Sequence, residues 1–197
     1  MGEGTVIEAA AGQRYVIERP RLTKLLDESN ARIILLLAPA GYGKTTLARQ
    51  WLAQGGRRSV WTSATAASGD VAALAANLAR ALDTLVPGTE RQMVRHLQAV
   101  SNPEREASSL SRTLIDALAQ WPDDGWAVID DYHFVCVSAA PDQFVENLIS
   151  EAPVRLLVTS RRRPRWASAR RVLYNEVAVI GPRELELTDS EARKVLA

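Results

Sequence analysis

Cysteine is almost missing. Cys136 is the single one in 197 residues, which excludes a disulfide framework and a cysteine-built metal centre and fits a reducing cytoplasm. Charge of one sign is not in excess either. The 24 Lys and Arg residues stand against 23 Asp and Glu, a formal net charge of +1. No global field therefore draws the chain to nucleic acid or to a membrane surface, and any polyanion must be bound locally. No apolar run approaches the ~20 residues that a membrane span needs. Met1-Gly2-Glu3-Gly4 carries no basic segment and no long apolar stretch follows it, which is not the layout of a secretion signal. Internal repeats and low-complexity linkers are also lacking. What remains is ample for a core: 47% of the residues are hydrophobic, and the length fits one large α/β domain or one domain with extensions.

Within this ordinary composition one stretch carries chemistry. Ala38-Pro39-Ala40-Gly41-Tyr42-Gly43-Lys44-Thr45-Thr46 follows the apolar run Ile33–Leu37 and leads into the helical pattern Leu47–Leu52. That is the strand–loop–helix setting of a phosphate-binding loop, or P-loop. Gly41 and Gly43 let the backbone fold into a nest whose N–H groups point at phosphate oxygens, and the new helix adds its positive dipole end. Lys44 is expected to reach the β- and γ-phosphates of a nucleoside triphosphate, and the Thr45 hydroxyl to ligate Mg²⁺. The strict pattern has glycine where Ala38 stands. Alanine tolerates the extended end of a strand, so the change reads as a relaxation of the motif.

Apolar runs of strand length recur at Arg32–Leu37, Ser59–Thr62, Trp126–Asp130, Val154–Thr159 and Glu176–Ile180. Helical patterns separate most of them, and such alternation argues for a parallel sheet covered on both faces. Asp70 caps a helix over Val71–Leu82, a shorter one is expected over Glu90–Val100, and long amphipathic ones over Glu104–Trp121 and Pro141–Glu151. The expected fold is a three-layer α/β/α P-loop NTPase with a five-stranded, mainly parallel sheet of order 5-1-4-3-2. It spans residues 1–187, of which 1–30 form an entry segment and helix.

Trp126-Ala127-Val128-Ile129 runs into two acidic residues, Asp130 and Asp131. Open α/β sheets place their chemistry at such a strand end. Asp130 is the candidate to hold Mg²⁺ through its water shell, and Asp131 to polarise an attacking water as general base. His133 follows. It either orders the site or, as the commoner arrangement has it, hydrogen-bonds locally. The next strand ends in Thr159-Ser160-Arg161, and an arginine there is placed to contact a γ-phosphate and stabilise charge on the transferred phosphoryl group. That role requires the Val154–Thr159 strand to lie between the P-loop strand and the Asp130 strand. Arg161, Arg162, Arg163, Arg165, Arg170 and Arg171 form the one dense basic run. Phosphate sensing, contact with a neighbouring subunit's nucleotide, nucleic-acid binding and a merely solvated basic loop all remain open for it.

Thr188-Asp189-Ser190-Glu191 has the form of a capping box that starts a helix over Ser190–Leu196. The helix has no later element to bury its apolar face, so residues 188–197 are expected to be the start of a helical lid in a longer protein.

Taken together, Leu37–Leu47, Asp130-Asp131-Tyr132-His133 and Val158-Thr159-Ser160-Arg161 resemble the ATPase domain of MalT-type activators. These are the large ATP-binding LuxR-family regulators within the STAND class of signalling ATPases, NB-ARC- and NACHT-like in kind. Ile17-Glu18-Arg19-Pro20-Arg21-Leu22 resembles that family's entry segment near the adenine, which implies a nucleotide-binding role for Arg19. Trp61 falls where the family has a tryptophan after the second strand, and Leu185–Ala192 resembles the passage into the small helical lid. One departure is plain: the family's acidic segment after the tryptophan is replaced by Thr62-Ser63-Ala64-Thr65-Ala66-Ala67-Ser68. The resemblance implies an ATP/ADP switch with Mg²⁺, weak ATPase activity, self-association in the ATP state, an unidentified inducer, and DNA contact only through a C-terminal domain absent from this chain.

Two other classes compete. A small-molecule kinase or motor-type ATPase would use the arginine run as a lid, but paired aspartates suit water activation better than transfer to a bulky acceptor. A non-catalytic assembly module would not need Lys44, Thr45 and both aspartates intact.

Overall fold

A computed structural model describes residues 17–196. Its sheet has five strands: β1 (Ile33–Leu37), β2 (Arg58–Ser63), β3 (Gly125–Asp130), β4 (Arg155–Ser160) and β5 (Val177–Ile180). All the pairings are parallel, and the order β2-β3-β4-β1-β5 is the expected 5-1-4-3-2 read from the other edge. β4 lies between β1 and β3, as the role foreseen for Arg161 requires.

The strands read as continuous apolar runs because both faces are covered. Along β1, Ile33 and Leu35 enter one core while Ile34 and Leu36 enter the other. β3 divides its residues likewise, Ala127 and Ile129 against Trp126 and Val128. The larger core takes α3 (Val71–Leu82), α4 (Thr89–Ala99), α5 (Ala107–Ala117) and α6 (Ala139–Glu151). The second takes α1 (Pro20–Asp27) and α2 (Lys44–Gln54), with Trp51 of α2 edge-on to Trp126 at 4.9 Å between ring centroids. Two short helices, α7 (Ala169–Leu173) and α8 (Pro182–Leu185), flank β5, and α9 (Asp189–Leu196) closes the described chain.

Local signals explain most element ends. Asp70 caps α3 by accepting the N–H of Ala73 at 2.8 Å, and Pro20 opens α1 at a position where its missing N–H costs nothing. The expected helix over Glu104–Trp121 is broken up: a 3₁₀ turn at Pro103–Glu106, then α5, then a second 3₁₀ turn at Leu118–Gln120. The second turn swings Trp121 into the core, where its indole N–H donates to the Gly125 carbonyl at 3.1 Å. The entry segment before Ile17 lies outside the described residues. Among those described, no helix is long and apolar enough to cross a membrane.

Candidate functional site

The loop after β1 turns on two glycines in the left-handed region, Gly41 at φ 85° and Gly43 at φ 74°. At Gly41 a Cβ would meet nothing within 4 Å, so backbone conformation rather than crowding calls for glycine there. Ala38 continues β1 by donating its N–H to the Ser160 carbonyl. Its methyl is buried in the second core, which is how the relaxed first position of the motif is accommodated. Ala40, Gly41, Gly43 and Thr46 are exposed around the loop, and Tyr42 is half-buried.

Lys44 opens α2 and folds back beneath this loop. Its ammonium donates to the carbonyls of Ala38 and Pro39, each at 2.8 Å, and the residue is 7% exposed. Burial and then the nearby Arg161 push its pKa down, while Asp131 and Asp130 push it up. The same couplings place Arg161, which is exposed at the end of β4, within electrostatic range of the lysine.

Thr45 donates its hydroxyl to Asp130 Oδ1 at 2.9 Å, across from the P-loop to the end of β3. Asp130 is 6% exposed and receives a second hydrogen bond from the Thr159 hydroxyl of β4. Thr159 accepts in turn the backbone N–H of Asp131 at 2.9 Å. Asp131 itself sits at φ 56°, ψ 39°, the left-handed conformation that Asp tolerates better than most side chains. Its carboxylate is half-exposed and faces solvent beside the loop. Thr159 is a site residue whose role the sequence did not disclose; its signal was a threonine, rather than another aliphatic, near the end of a buried strand.

His133 Nδ1 lies 3.6 Å from Asp131 Oδ1 and has no hydrogen-bond partner among the described residues. The local hydrogen bond anticipated for it is therefore not made. Burial lowers its pKa, Asp131 opposes this, and Arg161, Lys44 and Arg162 add to the lowering, a balance that favours the neutral imidazole. Between these two residues, Tyr132 is fully buried. Its hydroxyl donates to Asp142 of α6 at 2.7 Å, and its ring meets Trp166 edge-on at 5.7 Å. Trp166 and Ala167 are each 1% exposed, so the arginine-bearing segment after β4 is anchored in the core while Arg161, Arg162 and Arg165 point outward.

Beside the loop opens a cavity of about 560 Å³, bounded by Ile17 and Arg19, by Gly41–Gly43 with Thr46, Leu47 and Gln50, and by Leu185–Leu187. Ile17, Leu47, Leu185 and Leu187 give it aliphatic surface, and Arg19, Thr46, Gln50 and Glu186 bring polar groups to it, the mixed lining usual for small-molecule sites. Arg19 lines it but is engaged with protein: its guanidinium donates to the carbonyls of Leu185 and Glu186, each at 2.8 Å, and of Tyr42 at 3.4 Å. The structure thus gathers Lys44, Thr45, Asp130, Asp131 and Arg161 at one sheet edge and puts Arg19 at the adjoining cavity.

Comparisons with known proteins agree with this arrangement. A family model described as an AAA domain matches residues 26–161. The HTH-type transcriptional regulator MalT of Cronobacter sakazakii is 32% identical over 187 residues, which cover 92% of this chain and 20% of that protein. The chain thus spans about one fifth of the length of this relative. Among solved structures, the Aeropyrum pernix ORC1 protein in complex with DNA superposes with a TM-score of 0.54 at 18% identity, over 90% of this chain and 46% of that one. That likeness concerns the fold alone. Homology to MalT over nearly the whole chain matches the kinship expected from the P-loop and the Asp-Asp-Tyr-His run, and the chain belongs to the AAA domain family.

Proposed function

We propose that this domain binds ATP and hydrolyses it slowly, as the regulatory switch of a transcriptional activator related to MalT. The observation that carries the reading is the Thr45–Asp130 hydrogen bond at 2.9 Å, formed directly beside a P-loop whose lysine is already folded inward. These two oxygens fit a hard divalent cation: Thr45 would hold Mg²⁺ directly and Asp130 through water. Magnesium, when bound, draws charge from the β- and γ-phosphates. Lys44 exchanges its two carbonyl partners for phosphate oxygens, and the loop N–H groups of Gly41 and Gly43 surround the β-phosphate. Asp131 takes the proton of a water whose oxygen attacks the γ-phosphorus. The bond to the bridging oxygen breaks, and ADP and phosphate leave. Arg161 stabilises the charge that develops on the γ-phosphoryl group.

As a switch, ATP and ADP differ only by that γ-phosphate, so the contacts made by Lys44, Asp131 and Arg161 are those through which the bound nucleotide selects a conformation. The ATP form favours self-association together with an inducer, and hydrolysis returns the resting ADP form. DNA is contacted by other parts of the regulator. Incubation with Mg-ATP tests the reading: slow release of inorganic phosphate without any acceptor is the expected result. ADP production that depends on an added small-molecule acceptor would instead identify a kinase.

A further inference from the structure

Among the described residues, two buried carboxylates, Asp142 and Glu191, lie outside the phosphate machinery, and Glu191 is paired with cations. Glu191, in the first turn of α9, has a side chain only 9% exposed and is bound by two arginines from the opposite end of the chain. Arg21 donates to both carboxylate oxygens, at 3.1 and 3.0 Å, and Arg19 approaches at 3.4 Å. The N–H of Thr188 adds a further bond at 3.0 Å, completing the capping box. Arg19 is the connecting piece. The same guanidinium holds the carbonyls of Leu185 and Glu186 and reaches Tyr42 of the P-loop. Arg21 reinforces it on the carbonyls of Glu184 and Glu186. Leu185–Leu187, one wall of the 560 Å³ cavity, is thereby tied to the loop that forms another wall.

We infer that Glu191 is a positioning residue for the base of the nucleotide, acting through Arg19 to hold the Leu185–Leu187 wall closed. This rests on the cavity being the base site of the proposed ATP switch. Removing the carboxylate leaves the buried Arg19 cation without its counter-charge, so the clasp is made or broken as a unit. The coupling is reciprocal: a base in the cavity holds α9 docked, and an undocked α9 weakens the base. The triphosphate is held by Lys44, Thr45 and the loop N–H groups, which the clasp touches only through the Tyr42 carbonyl at 3.4 Å, so the clasp bears chiefly on the base. Base and triphosphate are thus held by separable sets of residues, and only the set around the base is tied to α9.

Fluorescence titrations of the 197-residue chain with ATP and with inorganic tripolyphosphate separate them. Glu191→Ala is expected to weaken ATP about tenfold, within the usual range of coupling between sites, while tripolyphosphate binds as to the wild type. In phosphate release, KM rises by the same factor and kcat at saturation holds. Glu191→Gln, which keeps the shape and an acceptor for Thr188, guards against misfolding and is expected to show a smaller loss in the same direction. ATP affinity equal to that of the wild type in both variants overturns the inference, and so does an equal loss for ATP and tripolyphosphate, which marks general damage. A wild-type chain that binds tripolyphosphate as tightly as ATP removes the base site and the clasp together. A chain that binds neither removes the ATP reading itself.

Discussion

Thr159 and Asp130 are joined across two neighbouring strands, the β4 hydroxyl donating to the β3 carboxylate while accepting the backbone N–H of Asp131. One side chain thus fixes both acidic residues. Thr159→Val preserves shape at a position that is 0% exposed but leaves the part-buried Asp131 N–H without its partner. The expected loss is about 1–3 kcal/mol in urea denaturation, with a larger fall in phosphate release than in ATP affinity. Thr159→Ser keeps the hydroxyl and is expected to restore most of the hydrolysis.

The left-handed backbone at Asp131 divides its substitutions into two kinds. Asn adopts that conformation readily, so Asp131→Asn should keep the wild-type stability and ATP affinity while phosphate release falls at least tenfold. Asp131→Val adds strain of about 1–3 kcal/mol, visible as a lower unfolding midpoint. Unchanged turnover in Asp131→Asn would remove the general-base role.

Lys44→Ala frees the carbonyls of Ala38 and Pro39 and deletes the charge that meets the phosphates. ATP binding followed by isothermal titration is expected to disappear at millimolar nucleotide. Unimpaired affinity would sink the cradle reading.

Glu191 offers a test by pH. Burial raises its pKa, but hydrogen bonds from Arg21, from the Thr188 N–H and from Arg19 outweigh that and bring it down to about 2 from an ordinary 4.5. A carboxylate depressed in the folded state contributes stability that is full above its unfolded pKa and is lost as pH falls toward the folded one. Thermal unfolding of wild type and Glu191→Gln should therefore differ constantly above about pH 5 and converge between 4.5 and about 2. A gap that does not narrow in that window contradicts the ion pairing.

Tyr132→Phe keeps the ring against Trp166 but takes the hydroxyl donor from Asp142, which is 5% exposed. A loss of about 1–3 kcal/mol is expected in denaturation, with hydrolysis largely retained at temperatures where the variant is folded.

The sheet and its phosphate loop were legible because both are local in sequence. Ile33–Leu37 is an uninterrupted apolar run before a glycine-rich turn, and β4's central place followed from asking where Arg161 could act. What escaped notice depends on distant partners. The capping box at Thr188–Glu191 could be read from spacing, but not that its glutamate also binds Arg19 and Arg21 at the other end of the chain. His133 could be placed beside Asp131, but its lack of a hydrogen bond is decided by Tyr132 being drawn inward to Asp142 and Trp166. The split of the Glu104–Trp121 helix reflects a competition that periodicity does not register, in which burying Trp121 wins over continuing the α-helix.

The sheet order also sets when the cradle can exist. β1 pairs with β4 and β5, Ile33 opposite Leu156 and Val177, whereas β2 pairs with β3. As the chain leaves the ribosome at about 5–20 residues per second, the apolar strand carrying the P-loop emerges first and has no hydrogen-bonded neighbour until β4 arrives. For those seconds it is an exposed strand edge, a hazard for misassembly that ATP cannot relieve. The cradle around the P-loop is thus completed only when β4 and β5 arrive, although β1 precedes both of them along the chain.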